Sequence, residues 1–451
     1  MASSVVSALR DRTVRKVAKY GVPIAIGKLA ASLSGLITLG ILTRKLGPEQ
    51  FGVIALYRSV VAIIDLYANF NTWQAIIKFG TEQIAAGKPD ELRRIIKLAF
   101  TIDISTGWLG LLVVTGLAFV IPGTFGWTTH QATLCAIYGV TLVSKVAGTS
   151  DGIYRVCDAY RVQAIISSIG AAVMTLLVVV FVASGAGFDG CVYALVLGEV
   201  LSNVATTAAS FWVARRNGYG GWLRTSVRGI RRDHPGLVRF LVATNAQLTV
   251  RTTQSELDMI VVGSLLGKAD AGLFRVVKQL GSIPGRVFMP FEQVLFTELA
   301  RCAAARDYRG FRVLLRRTAS LAAVGALAIC LVTSLGARLL VHLVAGDAFI
   351  AAAEPFRWYM VAMVLHVAAA PVMRAMIALG RPGTLLVFDC ASLAVLASAV
   401  VFFGLEFGLL GVALAIVFHK AVQLAWSTAW IVRHVAALER GKEASISTTN
   451  T

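Results

Sequence analysis

Apolar runs recur along the whole chain, among them Leu109 to Ile121, Ala171 to Ala183, Leu321 to Leu335 and Leu393 to Leu405. A helix that crosses the hydrocarbon core of a bilayer needs about 20 mainly apolar residues. The pattern predicts spans at 20–43, 52–77, 97–121, 132–156, 160–184, 190–214, 237–263, 270–300, 315–344, 352–379, 383–404 and 408–434. The chain therefore reads as an all-α polytopic membrane protein of about 12 transmembrane helices. Residues 1–19 are basic, and the apolar stretch after them is too long for a secretory signal and carries Lys28, so it reads as an uncleaved first span.

Composition agrees with that pattern. Apolar residues make up 57% of the chain and charged residues 15%, where a soluble domain carries about a quarter. The formal net charge of +19 would suggest nucleic acid on a soluble protein, but here the cations sit in alternate connectors. They cluster in the N-terminal tail (Arg10, Arg12, Arg15, Lys16, Lys19), at Lys88 to Lys97, in the central connector from Arg215 to Arg232, at Arg301 to Arg317 and in the C-terminal tail. The intervening connectors 122–131, 185–189, 345–351 and 405–407 hold no Lys or Arg. Arg44 and Lys45 in the first connector run against the alternation, as do Arg338 and Arg357 near span ends. The balance follows the positive-inside rule and places both termini in the cytoplasm of a multi-pass protein, expected in a bacterial inner membrane. No cysteine pair has metal-ligand spacing and no phosphate-binding glycine loop occurs, so no metal, cofactor or disulfide is expected, and ATP-driven transport is argued against.

The chain repeats itself. Leu46-Gly47-Pro48-Glu49-Gln50-Phe51-Gly52 joins spans one and two. Leu266-Gly267-Lys268-Ala269-Asp270-Ala271-Gly272 joins spans seven and eight, at a register of 220 residues. In the same register Ile41 meets Val261, Leu42 meets Val262 and Arg58 meets Lys278. The expected organisation is a basic tail 1–19, a six-helix lobe 20–214, a basic linker 215–236, a second six-helix lobe 237–436 and a disordered tail 437–451. Two parallel repeats imply a pseudo-two-fold along the membrane normal with a site between halves.

Ionisable residues within spans are expensive and mark function by default. Span seven carries Thr244, Gln247, Arg251, Gln254, Ser255 and Asp258 on one helical face, which must line water or protein and not lipid. Span two carries Arg58, Asp65 and Asn69 on one face, and span one carries Lys28. Arg275, Lys278 and Arg286 lie in span eight, Lys145 in span four and Arg374 in span ten. Lys28, Arg58, Lys145, Arg251, Arg275, Lys278 and Arg374 are the candidate substrate-binding cations, because Coulomb attraction to an anion is strong in a low-dielectric cavity and Arg forks onto phosphate. Embedded carboxylates are Asp65, Asp103, Glu199, Asp258 and Asp389. Each reads either as the ion-pair partner of a nearby cation or as a proton- or sodium-coupling group, with Asp65, Asp258 and Glu199 as the coupling candidates.

The run Leu42-Thr43-Arg44-Lys45-Leu46-Gly47-Pro48-Glu49-Gln50-Phe51-Gly52, the polar span from Tyr57 to Gly80 and the connector Ile84-Ala85-Ala86-Gly87-Lys88 carry a family resemblance. So do Val262-Gly263 to Gly272-Leu273-Phe274 and Pro290 to Leu299 with the Arg306-Asp307-Tyr308 connector. The chain resembles the polysaccharide flippases of the multidrug/oligosaccharidyl-lipid/polysaccharide exporter superfamily, of the O-antigen and exopolysaccharide type. The resemblance implies two six-helix lobes in a V-shaped arrangement. It implies no enzymatic activity, but translocation of an undecaprenyl-diphosphate-linked oligosaccharide by alternating access, some members being cation-coupled. Implied partners are the lipid-linked oligosaccharide, membrane lipid, a polysaccharide polymerase and glycosyltransferases, with no nucleic acid. The alternative is a cation-coupled drug or metabolite antiporter of the same superfamily. A membrane-embedded sugar polymerase or ligase would need a sizeable loop on the outer side, and every connector there is short.

Overall fold

The structure is a computed structural model. It describes the backbone of residues 2–449 except 69, 71 and 381, and side chains other than those of 1–30, 69, 71, 231, 243, 244, 246–248, 250–252, 287, 289–291, 293, 294, 297, 381, 382 and 441–451. The elements are α1 (Ala2–Ala68), α2 (Trp73–Ala85), α3 (Pro89–Val120), α4 (Pro122–Phe125), α5 (Thr129–Ser144), α6 (Ala147–Val156), α7 (Tyr160–Ala183) and α8 (Phe188–Arg216). A single 3-10 turn (Trp222–Arg224) and the short α9 (Ile230–Asp233) follow. Then come α10 (Leu237–Leu265), α11 (Lys268–Gly281), α12 (Ile283–Ala304), α13 (Tyr308–Leu335), α14 (Ala337–Ala345), a 3-10 turn (Asp347–Ala352), α15 (Ala353–Ala378) and α16 (Pro382–Thr449).

At 1.5 Å per residue, α1 would be about 100 Å long, against a hydrocarbon core of about 30 Å. It is in fact two helices joined at Gly47, which has φ 70° and ψ 178°; α16 is divided in the same way at Gly408, with φ 58° and ψ −141°. Only a residue without a Cβ adopts such angles freely. Gly267, the repeat partner of Gly47, has φ 92° and ψ −176°, so the 220-residue register holds in the backbone as well as in the letters.

Among the described residues, eight helical segments are long and apolar enough to cross a membrane. Two of these, Ala31–Ala85 and Gly383–Arg440, contain Gly47 and Gly408 and are long enough for two passes each. Large apolar side chains on the outer faces are exposed, including Leu109, Leu112 and Val120 on α3 and Ile165, Ile169 and Leu176 on α7. On a multi-pass protein such faces meet lipid tails and need no polar cover.

The chain divides into two compact units, Met1–Thr252 and Thr253–Thr451. In the first, Leu92, Ile96, Ile153, Tyr154, Val213 and Trp222 form one buried cluster. In the second, Leu295, Leu299, Phe311, Met373, Met376, Leu385 and Ile431 form another.

Four predicted spans are broken where the sequence pattern predicts continuous helix, 270–300 at Ser282 and 315–344 at Gly336 by one residue each, and the other two over longer gaps. Span 52–77 stops at Ala68 and resumes at Trp73, and span 132–156 stops at Ser144 and resumes at Ala147. Side chains supply what the interrupted helices lack. The Asp103 carboxylate of α3, only 4% exposed, accepts from the Thr72 hydroxyl at 2.8 Å. It also accepts from the Thr149 backbone N–H at 2.7 Å and the Thr149 hydroxyl at 2.8 Å. Thr72 stands at the N-terminal end of α2 without a side-chain capping bond and Thr149 lies in the first turn of α6, so one carboxylate meets the positive ends of two half-helices.

Candidate functional site

In the first unit the polar side chains form one continuous seam over α1, α5 and α8. Arg58 on α1 pairs with Glu199 on α8 at 3.3 Å, and Glu199 also accepts from the Tyr138 hydroxyl of α5 at 2.7 Å. One turn further along α8, Asn203 donates to the Ser144 hydroxyl at 3.0 Å. Lys145 follows directly, at the broken end of α5 (φ −89°, ψ 83°), and pairs with Asp65 at 2.6 Å. Asp65 returns the seam to α1, two turns beyond Arg58 on the same face. The Arg58 and Lys145 side chains keep 37% and 39% of their surface exposed, so both cations remain reachable by a ligand.

The second unit holds more enclosed pairs. Lys278 of α11 bonds Asp258 of α10 at 2.7 Å and also donates to the Ser255 carbonyl. Here the two side chains are 13% and 7% exposed. Arg374 of α15 pairs with Glu292 of α12 at 3.1 Å. Arg275 is half-buried one turn before Lys278. A small, mainly apolar cleft between the two halves of α16 and Met373 of α15 is lined by Leu385, Phe388, Val422 and Trp426, with Asp389, Ser392, Gln423 and Ser427 as its polar residues. The Gln254 amide donates to the Asp389 carbonyl at 2.6 Å, and Ser392 is hydrogen-bonded to the buried His419.

The structure thus joins two sets of residues that the sequence separates. Arg58, Lys145 and Lys278, expected to bind substrate, are partnered by Glu199, Asp65 and Asp258, expected to couple ions. Asp65 and Arg58 share a face, yet each bonds a residue from a different helix. Glu292, the partner of Arg374, was not among the sequence candidates; it is one of three acidic residues, with Asp270 and Glu298, in the span 270–300 that also carries Arg275 and Arg286. The side chains of Lys28, Asn69, Thr244, Gln247 and Arg251 lie outside the described residues. Asp103 is placed by its three donors as a clasp between helix breaks. Each of the cation–carboxylate pairs is neutral as a pair.

Comparison with known proteins gives a consistent result. A curated relative, the inner membrane protein YghQ of Escherichia coli (strain K12), is 24% identical over 272 residues, which is 59% of this chain and 75% of the relative. Among solved structures, an inward-facing multidrug resistance MATE family transporter of the MOP superfamily superposes with a TM-score of 0.75 at 16% identity, covering 92% of this chain and 99% of that one. The lipid II flippase MurJ in an inward closed conformation superposes with a TM-score of 0.70 at 12% identity, covering 92% and 90%. The fold is therefore that of the MOP exporters, an all-α multi-pass membrane architecture. Residues 41–354 match the polysaccharide biosynthesis protein family, and the chain belongs to that family.

Proposed function

We propose that this protein is a flippase that moves an undecaprenyl-diphosphate-linked oligosaccharide across the bacterial inner membrane by alternating access. The observation that carries the reading is the pair of reachable, carboxylate-held cations in a membrane protein of a polysaccharide biosynthesis family, Arg58 with Glu199 and Lys145 with Asp65. A diphosphate is a stronger and more highly charged acceptor than a carboxylate and suits the guanidinium fork. On binding, it takes Arg58 and Lys145, and releases Glu199 and Asp65. A released carboxylate in a low-dielectric setting favours uptake of a proton or sodium ion. Substrate binding and ion binding are then linked by exchange of partners, which gives the cations and the carboxylates one shared role. In the second unit Arg374 with Glu292 supplies the equivalent exchange, while the nearly enclosed Lys278 with Asp258 holds α10 to α11. Both termini are cytoplasmic in this reading, and glycosyltransferases and a polymerase act before and after the transport step.

The test is transport of a fluorescent lipid-diphosphate oligosaccharide in proteoliposomes. Arg58→Ala combined with Lys145→Ala is expected to lower the initial rate at least about tenfold, since each lost charge-assisted bond is worth roughly 1.5–3 kcal/mol. The membrane level of the variant is expected to stay near wild type. Undiminished transport by the double variant would refute the exchange mechanism.

A further inference from the structure

The segment 217–236 is docked onto the first unit by its backbone. Arg93 donates to the Gly218 carbonyl at 2.7 Å. Arg94 donates to the carbonyls of Ser226 at 3.1 Å and Arg228 at 2.8 Å, and Lys97 donates to that of Leu223. Trp222 is buried with its ring 5.1 Å from Phe100 and 4.7 Å from Phe211. Ile230 and Leu237 are buried against Ala75, Ile76 and Phe79. The carboxylates of this rim are already engaged: Asp90 with Arg93, Glu91 with Arg94 and His234, and Asp233 with Arg94.

Because the segment is held by its carbonyls, its own cations stay outside. Arg224, Arg228 and Arg232, together with Arg215 and Arg216 at the adjoining end of α8, are exposed, and among the described residues none of the five makes a salt bridge. Against these five charges stands Asp158 on the adjoining 157–159 connector. Exposed apolar groups stand beside the arginines. Trp212 is 52% exposed and Leu223 55%, and the Arg216 guanidinium lies over the Trp212 ring at 5.4 Å. Spans α3 and α8 meet the segment at this end, so it lies at the level where a membrane's hydrocarbon gives way to headgroups. A half-exposed indole under an arginine at a span end is an interfacial pattern, and an unmatched row of guanidiniums is complementary to phosphate.

We propose that Arg215, Arg216, Arg224, Arg228 and Arg232 form a docking rim for the headgroup phosphates of acidic phospholipids in the adjoining leaflet. This inference rests on the chain being a membrane protein and is independent of what it transports. Clusters of basic residues next to a span bind anionic lipid additively and in a salt-sensitive way.

The experiment uses the full-length protein in nanodiscs of phosphatidylcholine with a minor fraction of phosphatidylglycerol, and counts the phosphatidylglycerol retained after purification in detergent. The five-fold Arg→Gln variant is expected to retain roughly threefold less than wild type, and rising salt should abolish the difference. The five-fold Arg→Lys variant should keep most of it. A variant neutralised at Arg301, Arg306, Arg309, Arg312 and Arg316 should lose clearly less than the five-fold Gln variant, since Arg301 and Arg312 are already held by Glu298 and Glu439. If the five-fold Gln variant is not monodisperse, Arg224→Gln with Arg228→Gln should still show about half of the loss. Equal loss in the 301–316 variant would mean that lipid follows total charge, and would overturn the proposal. So would equal retention by wild type and the Gln variants. Displacement of the bound phosphatidylglycerol by equimolar polyprenyl diphosphate would reassign the arginines to a transported lipid, and would also overturn it.

Discussion

Lys278 and Lys145 make the same kind of bond in different surroundings. The Lys278–Asp258 pair is nearly enclosed, whereas the Lys145–Asp65 pair is open on one side. Removing one member of an enclosed pair leaves an uncompensated charge, at a cost of about 3–5 kcal/mol, while an exposed pair is worth about 1 kcal/mol or less. Lys278→Ala is therefore expected to lower the unfolding temperature in detergent strongly and Lys145→Ala only slightly. Lys278→Met combined with Asp258→Leu should recover most of the loss; equal effects of the two single changes would contradict this ranking. The sequence shows these residues as costly charges within spans, and it shows Arg58 and Asp65 on one helical face. It does not show that Glu199 and Lys145 come to meet them. Helical spacing relates neighbours on one helix, and no spacing rule relates residue 65 to residue 145.

At the level of elements, the two paired helix breaks are the feature that the hydropathy pattern misses. Neither 69–72 nor 145–146 holds a proline or glycine, so nothing local forces an interruption there. The breaks persist because Asp103 accepts from the free Thr149 N–H at the start of α6 and ties it to Thr72 at the start of α2, and because the two segments pass very close together at Gly148. A Cβ at Gly148 would lie 2.2 Å from the Thr72 Oγ1 and 3.1 Å from the Asp103 Oδ1. Gly148→Ala is expected to cost about 1–3 kcal/mol by overpacking. Asp103→Ala should cost a similar amount by leaving donors unpaired, and Asp103→Asn less. Thermal unfolding of the three variants checks the order. The repeated glycine turn, by contrast, is visible in the sequence, because a left-handed backbone selects glycine locally. Gly47→Ala and Gly267→Ala should each cost roughly 1–3 kcal/mol of strain, and by similar amounts, since both backbones have the same conformation.

For the whole molecule, the alternation of basic and neutral connectors carries a prediction about orientation. A fluorescent protein fused to either end is expected to fluoresce, and an alkaline phosphatase fused to either end to be inactive. The reverse result at one end would make the number of spans odd. The all-helical multi-pass architecture, the 220-residue repeat and the family were legible in the chain, because each depends on composition or on short-range pattern. The pairing of charges was not, because it is fixed only when distant spans have packed. That delay has a consequence for synthesis. Lys145 follows its partner Asp65 by 80 residues, while Lys278 follows Asp258 by only 20. At about 5–20 residues per second of translation, Asp258 waits roughly 1–4 s for its counter-charge and Asp65 roughly 4–16 s. During that interval the early spans carry an unmatched carboxylate as they leave the insertion machinery. Nascent chains arrested before residue 145 should therefore stay cross-linkable to the insertase and be degraded when released. Chains arrested after residue 216 should have passed into lipid, with the N-terminal charges already neutralised.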